Sequence, residues 1–284
     1  MASLKDIRRR IGAVKGTQKV TRAMKLVAAA KLRRAQQTAI DSRAYATELY
    51  DMAMRVSQRL GPNAPFLWRR PQAIDCVDIV VVTSDRGLCG GFNENLLRRL
   101  EGGIATTEDH SIAVKLFVIG KKGVRHCRAR KLDMEVVPVE DGDEAAATWI
   151  IDRILQRYKN GESAGANILF NRFSGAASYE PLFWNLVPLF RRGSHRDRYM
   201  EYLYEPLRED VLDGLAMATL RATLLQIMME SRGAELAARM AAMDSATRNA
   251  DDMIAHLTFV YNRARQETIT RELIDIVGGA EALK

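Results

Sequence analysis

The residues with the most suggestive chemistry form a short glycine-rich segment, Ser84–Asn93, with the sequence SDRGLCGGFN. It follows an apolar run typical of a buried strand and precedes a pattern typical of a helix. Its three glycines could wrap a phosphate against the amino end of that helix and so create a nucleotide site. The segment matches neither G-x-G-x-x-G nor the P-loop with its Lys-Ser/Thr pair. We therefore favour a tight strand-to-helix turn, and a nucleotide-binding enzyme stays an alternative.

Nucleophilic and metal-binding side chains are sparse. The 284 residues include three cysteines, Cys76, Cys89 and Cys127, and four histidines, and their spacing is not that of a zinc site. Cys89 lies beside the glycines, but no histidine or acidic partner is indicated that would make it a nucleophile. Sparse, unpaired cysteines fit a reducing compartment without disulfides. The sequence predicts no catalytic residue, no metal site and no cofactor.

Positive charge is concentrated near the amino terminus. Residues 1–60 contain 14 Lys and Arg against 4 Asp and Glu, whereas residues 207–284 contain 9 against 12. A basic helix predicts an acidic partner, which could be nucleic acid, an anionic membrane surface or an acidic protein surface. Few aromatic residues are interleaved with the basic ones, so base stacking is not supported. A basic coiled-coil adaptor that binds nucleic acid is kept as an alternative.

Two long helices are needed to position these groups. No proline occurs before Pro62 or after Pro206. Both stretches repeat apolar or small residues in alternating steps of three and four, the spacing of a coiled-coil seam. The first seam is predicted to consist of Leu4, Ile7, Ile11, Val14, Gln18, Thr21, Lys25, Ala28, Leu32, Ala35, Ala39, Ser42, Ala46, Leu49, Ala53, Val56 and Leu60. The last is predicted to consist of Val211, Leu215, Ala218, Ala222, Leu225, Met229, Arg232, Leu236, Arg239, Met243, Ala246, Ala250, Met253, Leu257, Val260 and Ala264.

Three polar residues, Gln18, Thr21 and Lys25, interrupt the first seam. There the seam is weak, or the helix faces something other than its partner. Gly12 and Gly16 each cost about 1 kcal/mol relative to alanine in a helix, so we expect soft first turns. Because the two stretches carry opposite net charge and the chain returns from its middle, we expect the helices to pair antiparallel.

The middle of the chain alternates strand and helix patterns. Apolar runs typical of buried strands occupy residues 77–83, 112–119 and 166–170. Helix patterns occupy residues 93–100, 121–128 and 144–160. This alternation predicts a small, Rossmann-like α/β domain with a mainly parallel sheet.

A proline-rich linker and a polar loop are expected at the borders of this middle part. The linker covers residues 61–71, and the loop GSHRDR covers residues 193–198. The predicted division is an antiparallel coiled-coil shaft from residues 1–60 and 207–284, and a central α/β domain from residues 72–205. No stretch approaches 18 consecutive apolar residues, and the amino terminus lacks the apolar core of a secretion signal, so we expect no membrane span.

Three segments together resemble the gamma subunit of the F-type rotary ATP synthase. They are TQKVTRAMKLVAAAKLRRAQ (17–36), the glycine-rich segment and YNRARQETITRELIDIVGGAEAL (261–283). The last is the most specific, since its residues fall at the spacing of that family's C-terminal signature: Ile269-Thr270, Glu272, Ile276, Gly279-Ala280 and Ala282-Leu283. Residues 100–205 match the family in character more than in motif.

The resemblance implies a rotor shaft without catalytic residues. In that family the terminal helices form a coiled coil inside a ring of three alpha and three beta subunits, and the globular part meets the epsilon subunit and the membrane c-ring. Rotation of the asymmetric shaft would couple proton flow to nucleotide affinity at each beta subunit. No nucleic acid is then expected as a partner, and the membrane is met only through the complex. Because the chain begins at Met1 without a transit segment, we expect a bacterial protein, peripheral on the cytoplasmic face of the plasma (inner) membrane.

The resemblance also implies a set of partner contacts. Met24 lies where the family's shaft passes an acidic loop of beta, and the flanking Arg22 and Lys25 could supply charge attraction. Arg265 and Gln266 match a polar pair that hydrogen-bonds a loop of beta. The small, apolar stretch from Ile276 to Leu283 matches the end held in a smooth bearing.

Overall fold

The protein is described here by a computed structural model that covers residues 3–60, 64–69, 71, 73–175, 178–189, 202–205 and 207–281. The predicted loop at 193–198 and parts of the predicted linker lie outside the described residues. A 3-10 turn, Phe66–Trp68, lies in the linker region. The helices and strands are α1 (Leu4–Ser57), β1 (Cys76–Val82), α2 (Phe92–Asp109), β2 (Ala113–Ile119), α3 (Lys121–Ala129), β3 (Met134–Val136), α4 (Asp143–Lys159), β4 (Ala166–Gly175), β5 (Ser178–Val187) and α5 (Arg208–Glu281).

The chain divides into two compact units. We call the unit formed by Ala30–Ala238 the sheet unit, and the unit formed by Met1–Ala29 and Arg239–Lys284 the terminal unit. Each of the two long helices therefore contributes residues to both. The domain boundaries predicted from the sequence remain a prediction.

The sheet unit is built on a five-stranded sheet with the order β3-β2-β1-β4-β5. Strand β1 pairs in parallel with β2 and β4, and β2 pairs in parallel with β3. Among the described strands, only β5 is antiparallel, as the second strand of a hairpin with β4. The predicted α/β fold with a mainly parallel sheet is therefore confirmed.

Alternate residues of β1 feed two apolar cores on opposite faces of the sheet. Val80 and Val82 lie in a core with α4, α5 and the end of α1, and Ile79 and Val81 lie in a core with α2 and α3. Burial on both faces explains why this strand reads as an unbroken apolar run, CVDIVVV.

The two long helices pair antiparallel in each unit. In the sheet unit the Ser42 hydroxyl donates to Gln226 Oε1 at 2.7 Å. In the terminal unit Lys25 pairs with Asp244, and Thr21 with Thr247, so numbers rise on α1 as they fall on α5. Every predicted seam position of α1 is buried or half-buried, which confirms the predicted coiled-coil face.

The predicted seam of α5 is incomplete. Within the sheet unit this helix also buries a second row of side chains that the sequence analysis missed: Leu212, Ala216, Leu220, Leu224 and Ile227. These residues belong to the core that α4 and the sheet share, so α5 packs on two sides there. A helix with two buried faces shows little amphipathic contrast, and a single 3-4 ladder cannot describe it.

One stretch of α5 departs from the expectation that no segment could span a membrane. Within Arg208–Ile274, an 18-residue window has a mean hydropathy of 1.3. By length and composition alone, this helix is long and apolar enough to cross a membrane. Of that window, 44% is buried inside the protein. One such helix is weak support for a membrane span, because the core helix of a soluble protein passes the same test.

Candidate functional site

The glycine-rich segment forms a turn that is held by its own hydrogen bonds. The Ser84 N–H donates to Asn93 Oδ1 at 3.0 Å, and the Ser84 hydroxyl donates to the Arg86 carbonyl at 2.8 Å. At the start of α2 the Phe92 N–H donates to the Cys89 carbonyl at 3.2 Å. Gly90 has a φ of +57°, a backbone conformation that favours glycine. These contacts agree with the structural turn favoured from the sequence.

The same turn packs against α5. Cys89 and Phe92 are buried in a small cluster with Ala234 and Ala238, and the Phe92 ring lies 5.6 Å from that of Tyr179. Cys89 is therefore enclosed as an apolar side chain rather than presented as a nucleophile. Among the described residues, no group of three or more His, Cys, Asp or Glu could hold a metal ion.

The terminal unit holds three of the predicted contact residues on α1. Arg22 is exposed, and Met24 is half-buried. Lys25 is also half-buried, and its Nζ lies 2.5 Å from Asp244 Oδ1 on α5. The hydrogen bond from Lys25 lowers the pKa of the Asp244 carboxyl, so this carboxyl is ionised at neutral pH. Lys25 is thus already bound by an acid of the same chain, and its charge attraction to a partner stays a prediction.

The three polar seam residues face polar residues of α5. Gln18 donates to the Asp251 carboxylate, and the hydroxyl oxygens of Thr21 and Thr247 lie 2.9 Å apart. Sequence reasoning missed this pairing, because it assigned Met243, Ala246 and Ala250 to the seam of α5. A signal was present, since the next residue after each of these is polar: Asp244, Thr247 and Asp251.

The far end of α5 is apolar and exposed. Arg265 and Gln266 are exposed, and Ile276 is 68% exposed. Other apolar side chains of this end are also exposed: Phe259, Leu273, Ile274 and Val277. Leu283 lies outside the described residues. The structure thus brings Arg22, Met24 and Lys25 together on α1, whereas Arg265, Gln266 and Ile276 lie exposed on the last part of α5.

A buried ion pair in the sheet unit was also missed. The Asp78 side chain on β1 is fully buried, and its carboxylate accepts from Arg157 Nε on α4 at 3.1 Å. Burial raises the pKa of Asp78, and the arginine partly offsets this effect. Arg157 also binds Glu162 at 2.9 Å. This pair joins a helix to the sheet, and we assign it a structural role.

Known proteins resemble the chain along its whole length. A family model described as ATP synthase matches residues 3–283. The ATP synthase gamma chain of Anaeromyxobacter sp. (strain Fw109-5) is 40% identical over 297 residues, and that of Chlorobaculum parvum is 41% identical over 293 residues; each alignment covers 100% of both chains.

Two solved structures share the fold. A chain of the Euglena gracilis mitochondrial ATP synthase (OSCP/F1/c-ring) gives a TM-score of 0.67 at 19% identity, covering 99% of this chain and 94% of that one. A chain of the Tetrahymena thermophila mitochondrial ATP synthase central stalk/c-ring gives a TM-score of 0.60 at 21% identity, covering 80% and 99%. At such identities these structures speak for the fold alone.

Proposed function

The chain belongs to the ATP synthase gamma chain family, and from that premise we propose that it is the central rotor shaft of an F-type ATP synthase. The observation that carries this proposal is the match to bacterial gamma chains at about 40% identity over the full chain. The antiparallel pairing of α1 and α5 supports it, because a shaft made of two helices needs such a pair. Nothing in the comparisons favours the alternative of a nucleic-acid-binding adaptor.

The proposed shaft acts by coupling rather than by catalysis. Its partners are the alpha and beta subunits, which surround it, and the epsilon subunit and c-ring, which drive it. Ion flow through the c-ring turns the shaft, and each beta subunit then meets a different face of it in succession. The shaft changes nucleotide affinity at a beta subunit only as far as its faces differ in binding free energy for that subunit's conformations.

The internal hydrogen bonds of the glycine-rich turn and the burial of Cys89 support the proposed absence of a catalytic group. This turn is the segment with the most suggestive chemistry, and its Ser84 hydroxyl and Asn93 amide bond within the turn while Cys89 is enclosed. We place the chain at the cytoplasmic face of a bacterial plasma membrane, where it meets the membrane only through the complex. Binding of ATP or NAD to the isolated chain would contradict this part of the proposal.

The proposed contacts with the ring lie on two surfaces of the terminal unit. On α1, Met24 and the exposed Arg22 face an acidic loop of beta, with Arg22 as the main cation because Asp244 neutralises Lys25. On α5, Arg265 and Gln266 hydrogen-bond a second loop. The end from Ile276 to Leu283 runs in an apolar bearing, where the lack of directed hydrogen bonds avoids fixed stopping points.

A charge placed at Met24 tests the proposed function. We expect Met24→Lys to reduce the protons pumped per ATP hydrolysed while the complex still assembles, because a new cation beside an acidic loop adds an attraction of about 1 kcal/mol. The matched control is Met52→Lys, which places the same charge at an exposed methionine of the same helix in the sheet unit. Normal coupling in Met24→Lys, or equal losses in both variants, would count against the assignment.

A further inference from the structure

A band of three polar layers crosses the helix seam of the terminal unit. We call it the polar band, and it consists of Gln18, Thr21 and Lys25 on α1 with Asp251, Thr247 and Asp244 on α5. In each layer a side chain of one helix bonds a side chain of the other. The Thr21 hydroxyl also lies 3.1 Å from the Gln18 carbonyl oxygen, and the Thr247 hydroxyl lies 2.7 Å from the Met243 carbonyl oxygen, so each hydroxyl has an acceptor on its own helix as well as a neighbour across the seam.

The polar band sits in a seam that also holds buried apolar side chains. Ile7 and Ala28 are buried on α1, and Met243 and Ala250 are buried on α5. Apolar layers stabilise a helix pair but tolerate axial slippage, since one apolar side chain replaces another at little cost. Polar side chains in a seam lower stability and specify register instead, because a shifted partner leaves them without a hydrogen bond.

The spacing of the polar band is satisfied in one register. Its members are separated by steps of three and four on α1, and by steps of four and three in the opposite direction on α5. A slip of α5 by one turn would bring either Met240 or Arg248 opposite Lys25 in place of Asp244. The first leaves an ammonium group unpaired, and the second places two cations together, so both slips are disfavoured.

We propose that the polar band is a register lock, whose residues position the partner-facing Arg22 and Met24 of α1 at one height and one angle relative to α5. Both residues lie within the sequence span of the lock, between Gln18 and Lys25. The lock itself is a property of the folded chain. Its effect on coupling rests on the proposed function, because only a shaft that turns inside a ring needs this angle to be fixed.

Disulfide trapping in the purified full-length chain measures the register directly. Thr21→Cys with Thr247→Cys reports the native register, and Thr21→Cys with Met243→Cys reports a one-turn slip; Cys76 is changed to serine, and the buried Cys89 and Cys127 are kept. We expect the native pair to cross-link at least about tenfold more than the slipped pair, which corresponds to about 1.4 kcal/mol.

Charge reversal then tests the lock. Lys25→Asp opposes two carboxylates and is expected to lower the ratio of native to slipped cross-links several-fold. The exchange of both partners, Lys25→Asp with Asp244→Lys, is expected to restore it. Should the single reversal fail to fold, Lys25→Met with Asp244→Met removes both charges without repulsion and is expected to lower the same ratio. An unchanged ratio in the single reversal or in the Met pair would overturn the lock. The lock would also be overturned if the exchanged pair had native helix content by circular dichroism but did not recover the ratio.

The positioning role is read separately in the assembled complex. Proton pumping per ATP hydrolysed is expected to fall in the single reversal and to recover in the exchanged pair. Native coupling in a variant whose cross-links show slippage would overturn the positioning role. If the chain does not assemble with alpha and beta subunits at all, the proposed function fails while the cross-linking result still decides whether the lock exists.

Discussion

The same helix, α5, is used in two different ways in the two units. Within the sheet unit its apolar side chains are enclosed, and Leu224 is 1% exposed. Within the terminal unit comparable side chains face outward, and Leu273 is 57% exposed. Both stretches are apolar, so composition does not separate them; the sheet and α4 cover the first. The comparison teaches that the sheet unit is stabilised by its own core, whereas the end of α5 leaves apolar surface exposed, which the proposed bearing would cover.

The two units also differ in how closely their glycines and charged side chains are surrounded by other groups. In the sheet unit a glycine such as Gly120 is required by its φ of +91° and by the close Thr83 carbonyl, and the buried Asp78 is paired. In the terminal unit Gly12 and Gly16 have open space around them. The two units should therefore respond differently to the truncation of a leucine, to the loss of a charge and to the replacement of a glycine.

Truncation of one leucine in each unit should give very different losses. Leu224→Ala is expected to lower the free energy of unfolding by about 2–5 kcal/mol, because it leaves a cavity in the core shared with α4 and the sheet. Leu273→Ala is expected to change it by less than about 0.5 kcal/mol. Urea denaturation of the full-length chain measures both. Equal losses would break the contrast between enclosed and available apolar surface.

Removal of one partner of the buried ion pair should destabilise the sheet unit in a pH-dependent way. Arg157→Met is expected to cost about 3 kcal/mol at neutral pH, because it leaves the Asp78 carboxylate buried without its cation. Burial already raises the pKa of Asp78 in the folded chain, and loss of the arginine raises it further. The variant's Asp78 therefore releases its proton at a higher pH than the wild type's, so the deficit should grow as the pH rises through the raised folded pKa of Asp78 in the wild type.

Urea denaturation of this variant and of the wild type at several pH values shows whether the deficit grows or shrinks as the pH rises. The matched control is Arg153→Met on the same helix, α4, whose arginine pairs with the partly exposed Glu135 of β3. The control is expected to cost about 1 kcal/mol or less, because its salt bridge is open to water. A deficit of Arg157→Met that shrinks as the pH rises would contradict the assignment of a buried, ionised Asp78.

Alanine at the open glycines should stabilise the terminal unit slightly. Gly12→Ala and Gly16→Ala are each expected to add about 1 kcal/mol, because alanine favours the helix and nothing lies within 4 Å of the new methyl group. Amide hydrogen exchange of residues 8–20 should slow accordingly. Gly120→Ala is the opposing control, since its methyl group would lie 2.3 Å from the Thr83 carbonyl oxygen. Faster exchange in the two α1 variants would show that these positions need glycine.

Much of the fold follows from local patterns, and the exceptions have physical causes. The apolar runs of β1, β2 and β4 were predicted because parallel strands buried on both faces cannot be polar. Helix α2 runs beyond its predicted end at Leu100, through two glycines, because Gly103 allows the Phe183 ring of β5 to approach closely. Strands β3 and β5 were missed, since the first has three residues and the second contains a proline that an edge strand tolerates.

The candidate site was less predictable than the fold. The roles of Arg22, Met24, Arg265 and Gln266 came from the family resemblance, since exposed side chains on a helix carry no local pattern. The polar band was only half visible, because the sequence shows that Gln18, Thr21 and Lys25 break a seam but not what they face. Partners more than 200 residues away require the register of the two helices, which the structure supplies.

The proposed role as a rotor shaft is tested by following the rotation of the chain inside an immobilised ring of alpha and beta subunits. A bead attached to Glu108→Cys, an exposed position of α2, in a Cys76→Ser background would report the motion of the sheet unit relative to the alpha and beta subunits. If the chain is the rotor shaft, the bead is expected to turn in one direction while ATP is hydrolysed and to stop when ATP is withdrawn. Sustained ATP hydrolysis by the complete complex with a stationary bead would contradict it.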